Sequence, residues 1–248
     1  MSCFYVQPRD VMGDRLILRG EEVHHCVRVS RCGKGDVIEV VDGAGAGYQV
    51  RIERVEEGEL EGEIVVIWPE WGEPRHQVTL AQSLIKGDGF DWVVEKTTEL
   101  GVRRIVPMRT KRSVVSTARP GKVRRWEKIA RSAMKQARRC RQPVIAPVSA
   151  FEDVLKALRE SDVALLAWEG EREQTVRDVL SELPNLETAG ILIGPEGGFT
   201  DDELERAQRL GVHFFSMGSR RLKAETAGVL AAGLVLYELG DLGETCKP

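Results

Sequence analysis

Residues 191–207 read ILIGPEGGFTDDELERA, an apolar run followed by a glycine-rich turn and a helix start. Thr200 and Glu203 stand three residues apart in the pattern of a capping box, so the helix is predicted to begin at Asp201. The turn between strand and helix then covers residues 194–199, GPEGGF. A buried strand that passes through a tight turn into a helix is typical of a parallel α/β sheet.

The same alternation of strand and helix extends from residue 77 to the end of the chain. Gly101 is predicted to end one helix as its left-handed residue. The predicted strands are residues 77–83, 103–108, 143–148, 162–168, 189–193 and 212–216, and the predicted helices are residues 90–100, 121–140, 151–160, 172–182, 201–210 and 224–239. This pattern predicts a parallel sheet with helices on both faces, in which ligands bind beyond the carboxyl ends of the strands.

The N-terminal part of the chain has a different period. Residues 1–67 alternate apolar and polar positions over short runs, which predicts a small antiparallel β domain, a barrel. The glycine-rich stretch at 42–47, DGAGAG, lies between two such runs and indicates a hairpin turn rather than a dinucleotide loop. Residues 68–74, WPEWGEP, are the predicted linker, so we expect domains at residues 1–72 and 73–248.

Composition narrows the class of protein. With 248 residues, 42% of them hydrophobic and 30% charged, the chain is typical of a folded globular protein. The longest apolar stretch, residues 227–239, is too short and too interrupted by glycine to cross a bilayer, and no signal peptide is evident. We therefore expect a cytoplasmic protein without a membrane partner.

The cysteines do not indicate a metal or disulfide site. There are five, scattered and without a C-x-x-C pair. His24, His25 and Cys26 adjoin, but on a predicted strand they would point to opposite faces, so no metal is expected. A histidine that is buried or faces RNA is the favoured interpretation.

Positive charge is concentrated in one block. Residues 109–141 contain thirteen Lys or Arg and one acid, Glu127, which gives +12 there and leaves −15 on the rest of the chain. Such a block is typical of a polyanion site. Within its helix, the apolar residues recur at helical spacing and should face the core: Trp126, Ile129, Ala130, Ala133, Met134 and Ala137. The cations recur on another side and are predicted to form one stripe that contacts phosphates, the alternative being a solvated helix face: Arg124, Lys128, Arg131, Lys135 and Arg138.

Two strand-end loops carry the residues expected to do chemistry. Glu196 and the acidic first helical turn disfavour phosphate at the glycine turn, so close approach to a neutral or cationic ligand is favoured over a turn without function. The loop after the next strand, residues 215–228, is FSMGSRRLKAETAG, with a glycine, three cations and then Glu225 at a helix start. Side by side, the two loops would form a pocket for an adenosine-like ligand beside an anionic substrate.

These motifs together resemble a known family. IGPEGGF with MGSRRLKAETA is similar to the C-terminal signature of the RsmE family of SPOUT methyltransferases, the ribosomal RNA small-subunit methyltransferase E enzymes. The stretches HHCVRVSR, KGD, EKTTELGV, R-x-x-R-S and WEKIARSAMKQARR extend the resemblance over most of the chain. It implies a PUA-like β-barrel followed by a SPOUT α/β domain with a C-terminal trefoil knot, and a homodimer. It further implies S-adenosyl-L-methionine as cofactor and methylation of N3 of a uridine in the decoding region of 16S ribosomal RNA, within an assembled small subunit.

The resemblance also implies residue roles. The cofactor would contact Leu166, Trp168, Ile193, Gly194, Glu196, Gly197, Gly198, Ser216, Met217, Gly218 and Leu222. Glu225 would act as base or orienting carboxylate, with Arg221 or Lys223 stabilising the uridine anion, although Glu225 could equally serve the helix N-terminus. Many relatives carry arginine in place of Lys223. RNA would contact His25, Arg28, Arg31, Arg109 and Arg112 in addition to the basic helix.

Three other functions stay open on the sequence. They are a related SPOUT methyltransferase acting on transfer RNA or 23S ribosomal RNA, a non-catalytic RNA-binding module, and a small-molecule α/β enzyme. The glycine loops disfavour a non-catalytic RNA-binding module, and the positive block disfavours a small-molecule enzyme.

Overall fold

The chain forms two compact units, each with its own sheet. The computed structural model describes residues 2–115, 121–183 and 185–243, so Arg119 of the positive block and Cys246 lie outside the described residues. The first unit comprises Met1–Glu73 with Arg131–Gln142, and the second comprises Pro74–Ala130 with Pro143–Pro248. The end of the basic helix thus clusters with the N-terminal strands, and the domain boundary after residue 72 stays a prediction.

The first unit is built on a six-stranded sheet in the order β1-β4-β5-β6-β3-β2. Its strands are β1 Cys3–Tyr5, β2 Val11–Met12, β3 Arg15–Arg19, β4 Val37–Val41, β5 Ala46–Glu56 and β6 Glu59–Pro69. All neighbouring pairs are antiparallel except β1 and β4, which are parallel. The prediction of an antiparallel β domain is therefore confirmed, with one parallel pair at the first strand. Inward side chains such as Phe4, Leu18 and Val50 are fully buried and form the core.

Asp42 explains the hairpin predicted at residues 42–47. Its Oδ1 accepts the backbone N–H groups of Ala44, Gly45 and Ala46 at 2.7, 3.0 and 3.0 Å, and its Oδ2 accepts the hydroxyl of Tyr48 at 3.1 Å. The carboxylate of Asp42 thus accepts hydrogen bonds from consecutive backbone N–H groups at the turn. The hairpin prediction is confirmed.

Two local predictions in this unit were wrong. The stretch around His24 and His25 is helical rather than extended: α1 spans Glu21–His24 and passes into a π-helical segment, His25–Val29. Trp68 and Pro69 of the predicted linker belong to the end of β6, where they pair with Gly47 and Ala46. Sequence periodicity is weak in a nine-residue helical stretch and in a strand that ends in proline.

The second unit contains a seven-stranded sheet in which every pair is parallel, as predicted. Six strands follow the order β10-β8-β7-β12-β11-β13, and β9 also pairs with β8. The strands are β7 Gln77–Ser83, β8 Arg104–Arg109, β9 Val144–Ile145, β10 Ser149–Ala150, β11 Val163–Ala167, β12 Thr188–Ile193 and β13 His213–Phe215. The helices are α2 Gly89–Leu100, α3 Lys122–Gln136, α4 Phe151–Leu158, α5 Val176–Ser181, α6 Asp201–Arg209 and α7 Ala224–Glu238, and α3 belongs to the first unit from Arg131 onward.

Most of these bounds fall within a few residues of the predicted ones. Gly101 ends α2 with φ 115°, as predicted for a left-handed terminal residue. The strand predicted at 143–148 is instead two short strands, β9 and β10, because Pro147 between them has no N–H to continue a ladder. No helix in the described part of the chain is long and apolar enough to cross a membrane.

Candidate functional site

The carboxyl ends of β11, β12 and β13 lie side by side at one edge of the parallel sheet. Leu166 of β11 is in register with Leu192 of β12 on one side and with Phe214 of β13 on the other. The glycine turn after β12 and the basic loop after β13 therefore do not follow adjacent strands, because β11 lies between them, but both loops line one cavity, as predicted. The residues that follow β11 form the middle of the site.

A cavity of about 320 Å³ opens at this edge. The predicted cofactor residues that line it are Trp168, Ile193, Gly194, Glu196, Gly198, Met217, Gly218 and Leu222, and Arg221 and Lys223 line it as well. Seven further residues line the cavity and were not named individually as cofactor contacts: Ala167, Glu169, Pro195, Phe199, Arg220, Ala224 and Ala227. Five of them lie in the two stretches that were predicted to form the pocket, residues 194–199 and 215–228, and the other two flank the predicted Trp168.

Three predicted cofactor residues lie outside the lining. Leu166 is fully buried in the core beneath the site, so it shapes the cavity from behind. Ser216 accepts the backbone N–H of Gly218 through its hydroxyl at 3.2 Å. A Cβ on Gly197 would lie 3.4 Å from Cβ of Arg112, so this glycine faces Arg112 rather than the lining.

The glycine turn needs its glycines for specific reasons. The N–H of Gly198 donates to the carbonyl of Pro195 at 2.9 Å and closes the turn, and Gly198 has φ 67°, a conformation that favours glycine. A Cβ on Gly194 would lie 3.0 Å from the ring of Phe199. The backbone of residues 194–199 is therefore exposed to the cavity without covering side chains at two of its positions.

Helix α6 begins at Asp201 with the predicted capping box. Glu203 is 1% exposed, and its Oε2 accepts the N–H and hydroxyl of Thr200 at 2.9 and 3.1 Å. Its Oε1 accepts the N–H of Lys111 at 2.8 Å. Lys111 Nζ also binds Asp202 at 2.6 Å, and this hydrogen bond lowers the pKa of the Asp202 carboxyl. An acidic N-terminus with a capping box does not suit phosphate, in agreement with the sequence.

The basic loop after β13 presents cations without strong internal partners. Arg221 Nη2 lies 3.9 Å from Glu169 Oε1, and these side chains are 88% and 70% exposed. Arg220 and Lys223 are exposed, and their side chains form no hydrogen bond or ion pair within the described residues. Their charge is available to an anionic group that enters the cavity.

Glu225 occupies the first turn of α7, with Lys223 at the N-cap. It is outside the cavity lining, and its carboxyl carbon lies 3.7 Å from the position of a Cβ on Gly89, at the start of α2. The carboxylate thus faces the start of α2, and its role as base stays a prediction.

The predicted RNA contacts outside α3 fall into two groups. The first group consists of exposed side chains that have no polar partner within the described residues: Arg28, Arg31 and Arg109. The second group consists of two side chains with internal contacts. The ring of His25 packs edge-on against Phe4 with the ring centroids 5.6 Å apart, and Nη1 of Arg112 donates to the carbonyl oxygens of Gly197 and Phe199, both at 3.0 Å.

The apolar face of α3 is confirmed. Trp126, Ala130, Ala133 and Met134 are at most 4% exposed, while Ile129 and Ala137 are partly buried. The helix ends at Gln136, four residues before the predicted end, and the chain turns at Arg138, which has φ 56°.

The cations in the second half of the predicted stripe on α3 have partners within the first unit, and their contact with phosphates stays a prediction. Arg131 lies 4.6 Å above the ring of Tyr5, Lys135 Nζ pairs with Glu22 at 2.6 Å, and Arg138 Nε lies 3.3 Å from Glu39. These cations already have acidic or aromatic partners in the first unit. By contrast, Arg124 and Lys128 are exposed and have no polar partner within the described residues.

Comparison with known proteins finds two family models along the chain. A family model described as an RNA methyltransferase domain matches residues 72–236, and an RNA methyltransferase PUA domain matches residues 18–65. A ribosomal RNA small subunit methyltransferase E from Bacillus subtilis is 31% identical over 228 residues, which cover 89% of each chain. The chain belongs to the ribosomal RNA small subunit methyltransferase E family. The Aquifex aeolicus protein of that name is 31% identical over 95% of this chain and 99% of its own length.

Solved structures of rRNA methyltransferases share this fold. The enzyme of Neisseria gonorrhoeae, crystallised with S-adenosyl methionine, has a TM-score of 0.83 and 27% identity, covering 96% of this chain and 97% of its own. A probable rRNA-methyltransferase from Porphyromonas gingivalis has a TM-score of 0.83 and 29% identity, covering 97% and 99%. The resemblance read from the motifs is confirmed. In the described part of the chain, no group of three His, Cys, Asp or Glu side chains is placed to hold a metal ion.

Proposed function

We propose that this chain transfers the methyl group of S-adenosyl-L-methionine to N3 of a uridine in the decoding region of 16S ribosomal RNA. The observation that carries the proposal is the cavity at the carboxyl edge of the parallel sheet, with exposed glycine backbone on one wall and free cations on another. Membership in the methyltransferase E family supports it, as does the S-adenosyl methionine bound to the Neisseria relative.

The residues present fit this cofactor. A cavity of about 320 Å³ falls at the lower end of the range for small-molecule sites, roughly 300–1,000 Å³. Trp168 and Met217 offer apolar surface to an aromatic base, and the bare backbone around Gly198 offers hydrogen-bonding groups to its polar edge. The carboxylates of Glu169 and Glu196 suit ribose hydroxyls or a positive charge.

The chain's own residues would position and stabilise the reacting uridine. S-adenosyl-L-methionine supplies a methyl group activated by a sulfonium. Uridine N3 must lose its proton to become a nucleophile, and Arg221 and Lys223 at the cavity can stabilise the resulting anion. Correct placement then contributes most of the acceleration. Glu225 stays our candidate for the proton acceptor or orienting carboxylate by family resemblance; its carboxylate lies beside Gly89 and outside the cavity lining.

The proposal extends to assembly and substrate. The exposed side chains of Trp92 on α2 and of Leu230 and Tyr237 on α7 are 41%, 38% and 55% accessible, which suits the subunit contact of a homodimer. We also propose that the C-terminal segment forms a trefoil knot, that the substrate is an assembled small subunit, and that the enzyme works in the cytoplasm. Light scattering of the purified protein tests the homodimer.

Cofactor binding is tested by calorimetry with S-adenosyl-L-methionine and EDTA present. We expect wild type to bind, and Gly218→Val to raise Kd by about tenfold or more, because Gly218 has φ 94° and valine is strained there. Gly211→Val also sits at a positive φ, 77°, but lies outside the cavity, and it is the matched control. Absence of binding by wild type would contradict the proposal.

The target base is tested by mass spectrometry of ribosomal RNA from a deletion strain. We expect one N3-methyluridine to disappear from 16S ribosomal RNA and to return when the wild-type chain is supplied. A loss from 23S ribosomal RNA or transfer RNA instead would favour the related SPOUT activities.

A further inference from the structure

Arg112 lies in a short turn that is fixed by its own hydrogen bonds. The N–H of Thr110 donates to Ser113 Oγ at 3.0 Å, and the N–H of Ser113 donates to the carbonyl of Thr110 at 3.2 Å. In addition, the N–H of Lys111 donates a hydrogen bond to the buried carboxylate of Glu203 at 2.8 Å. The backbone on either side of Arg112 is therefore anchored to itself and to the start of α6.

From this anchored turn, the side chain of Arg112 reaches the glycine turn. Its Nη1 donates to the carbonyls of Gly197 and Phe199, both at 3.0 Å. Gly197 lacks a side chain where Arg112 packs, since a Cβ there would lie 3.4 Å from Cβ and 3.7 Å from Cδ of Arg112. Neither Gly197 nor Arg112 lines the cavity, so this contact is made from behind the wall.

The two accepting carbonyls belong to the part of the turn that the capping box does not hold. The box fixes Thr200 through Glu203, and the bond from Gly198 to Pro195 fixes the beginning of the turn. Gly197 and Phe199 flank the left-handed Gly198, where backbone without side chains has most freedom to rearrange. A guanidinium is always charged and keeps its donors in a rigid plane, which suits it to hold two carbonyls at once.

We infer that Arg112 is a positioning residue of the cofactor cavity, whose guanidinium holds the turn at residues 194–199 in its observed conformation by binding the carbonyls of Gly197 and Phe199. This inference rests on the proposed function and departs from the sequence-based assignment of Arg112 to RNA. The turn then needs no reorganisation when the cofactor enters, which favours binding.

The test compares Arg112→Ala with Lys111→Ala in the full-length protein. Both remove one positive charge from adjacent positions, but only the first removes the bonds to the glycine turn, since Lys111 keeps its backbone bond to Glu203. Calorimetry should show Kd for S-adenosyl-L-methionine raised about tenfold in Arg112→Ala and little changed in Lys111→Ala. Arg112→Lys, which can reach one carbonyl, should fall between them.

Two further measurements separate positioning from general damage. Guanidinium chloride at low concentration, against an equal concentration of sodium chloride, should partly restore cofactor affinity to Arg112→Ala. In turnover assays KM for the cofactor should rise, while the salt dependence of RNA binding stays that of wild type.

The outcomes are distinguishable. If wild type does not bind S-adenosyl-L-methionine, the proposed function fails. If wild type binds and the Arg112 and Lys111 variants bind equally well, or if Arg112→Ala flattens the salt dependence of RNA binding at unchanged cofactor affinity, the inference is overturned. Loss of affinity in Arg112→Ala without rescue by guanidinium, together with a lowered unfolding temperature and an unaffected Arg112→Lys, also contradicts it.

Discussion

The two halves of helix α3 carry similar charge but use it differently. In the first half, Arg125 binds Asp91 at 2.6 Å, whereas Arg124 and Lys128 have no polar partner within the described residues. In the second half, Arg131 and Lys135 contact Tyr5 and Glu22. A cation with an internal partner stabilises the fold, and a cation without one is available to a phosphate. The sequence pattern is the same for both.

The largest effect should come from reversing the charge of Lys135 in the second half. Lys135→Glu would place two carboxylates together at Glu22, in a pair whose side chains are only 21% and 17% exposed. Urea denaturation should show a loss of about 2–4 kcal/mol in the free energy of unfolding, a little below the range for fully buried pairs. Lys128→Glu is the matched control in the exposed half and should lose less than about 0.5 kcal/mol. If Lys135→Glu and Lys128→Glu lose the same free energy of unfolding, the cations of the second half do not stabilise the fold more than those of the first.

A smaller loss is expected at the carboxylate that joins α2 to the first half of α3. Asp91 is 7% exposed and accepts the indole N–H of Trp126 at 2.8 Å. Asp91→Ala leaves that buried donor unpaired and should lower the free energy of unfolding by about 1–3 kcal/mol. Asp88→Ala is the control, because the Asp88 side chain is 83% exposed and lies 3.9 Å from Arg125. If both variants have the same free energy of unfolding, the buried contact between Asp91 and Trp126 does not stabilise the fold.

Much of this helix was predictable from spacing alone. The apolar residues at three- and four-residue intervals identified the buried face, because helical period places them on one side. The partners of the cations were not predictable, since Glu22 in α1 and Glu39 in β4 lie about a hundred residues earlier in the chain. The same holds beyond the helix, where Arg139 forms a buried ion pair with Glu73 and Arg141 pairs with Glu70.

The candidate site also combines features that the sequence could predict with features that it could not. The capping box and the turn glycines were predictable from the sequence because they depend on neighbours within a few residues. The position of β11 between β12 and β13 was not, since strand order in a parallel sheet is a matter of tertiary packing. Nor could spacing show that Arg112 contacts Gly197, which is 85 residues away.

The smallest effect on the fold, and the sharpest test of the comparison, is expected from the free cations of the first half. The double variant Arg124→Gln and Lys128→Gln should unfold within about 0.5 kcal/mol of wild type, because neither side chain has a polar partner in the described part of the chain. If both contact phosphates, the slope of log K for ribosomal RNA against log salt should become shallower by about 1.4–1.8, or about 0.7–0.9 per lost contact. Arg159→Gln with Arg172→Gln removes the same charge from exposed positions elsewhere and should leave the slope unchanged. Cofactor affinity should be that of wild type in both. A slope equal to that of wild type in the first double variant would mean that Arg124 and Lys128 are only a solvated helix face, and that the RNA is bound by other cations of the chain.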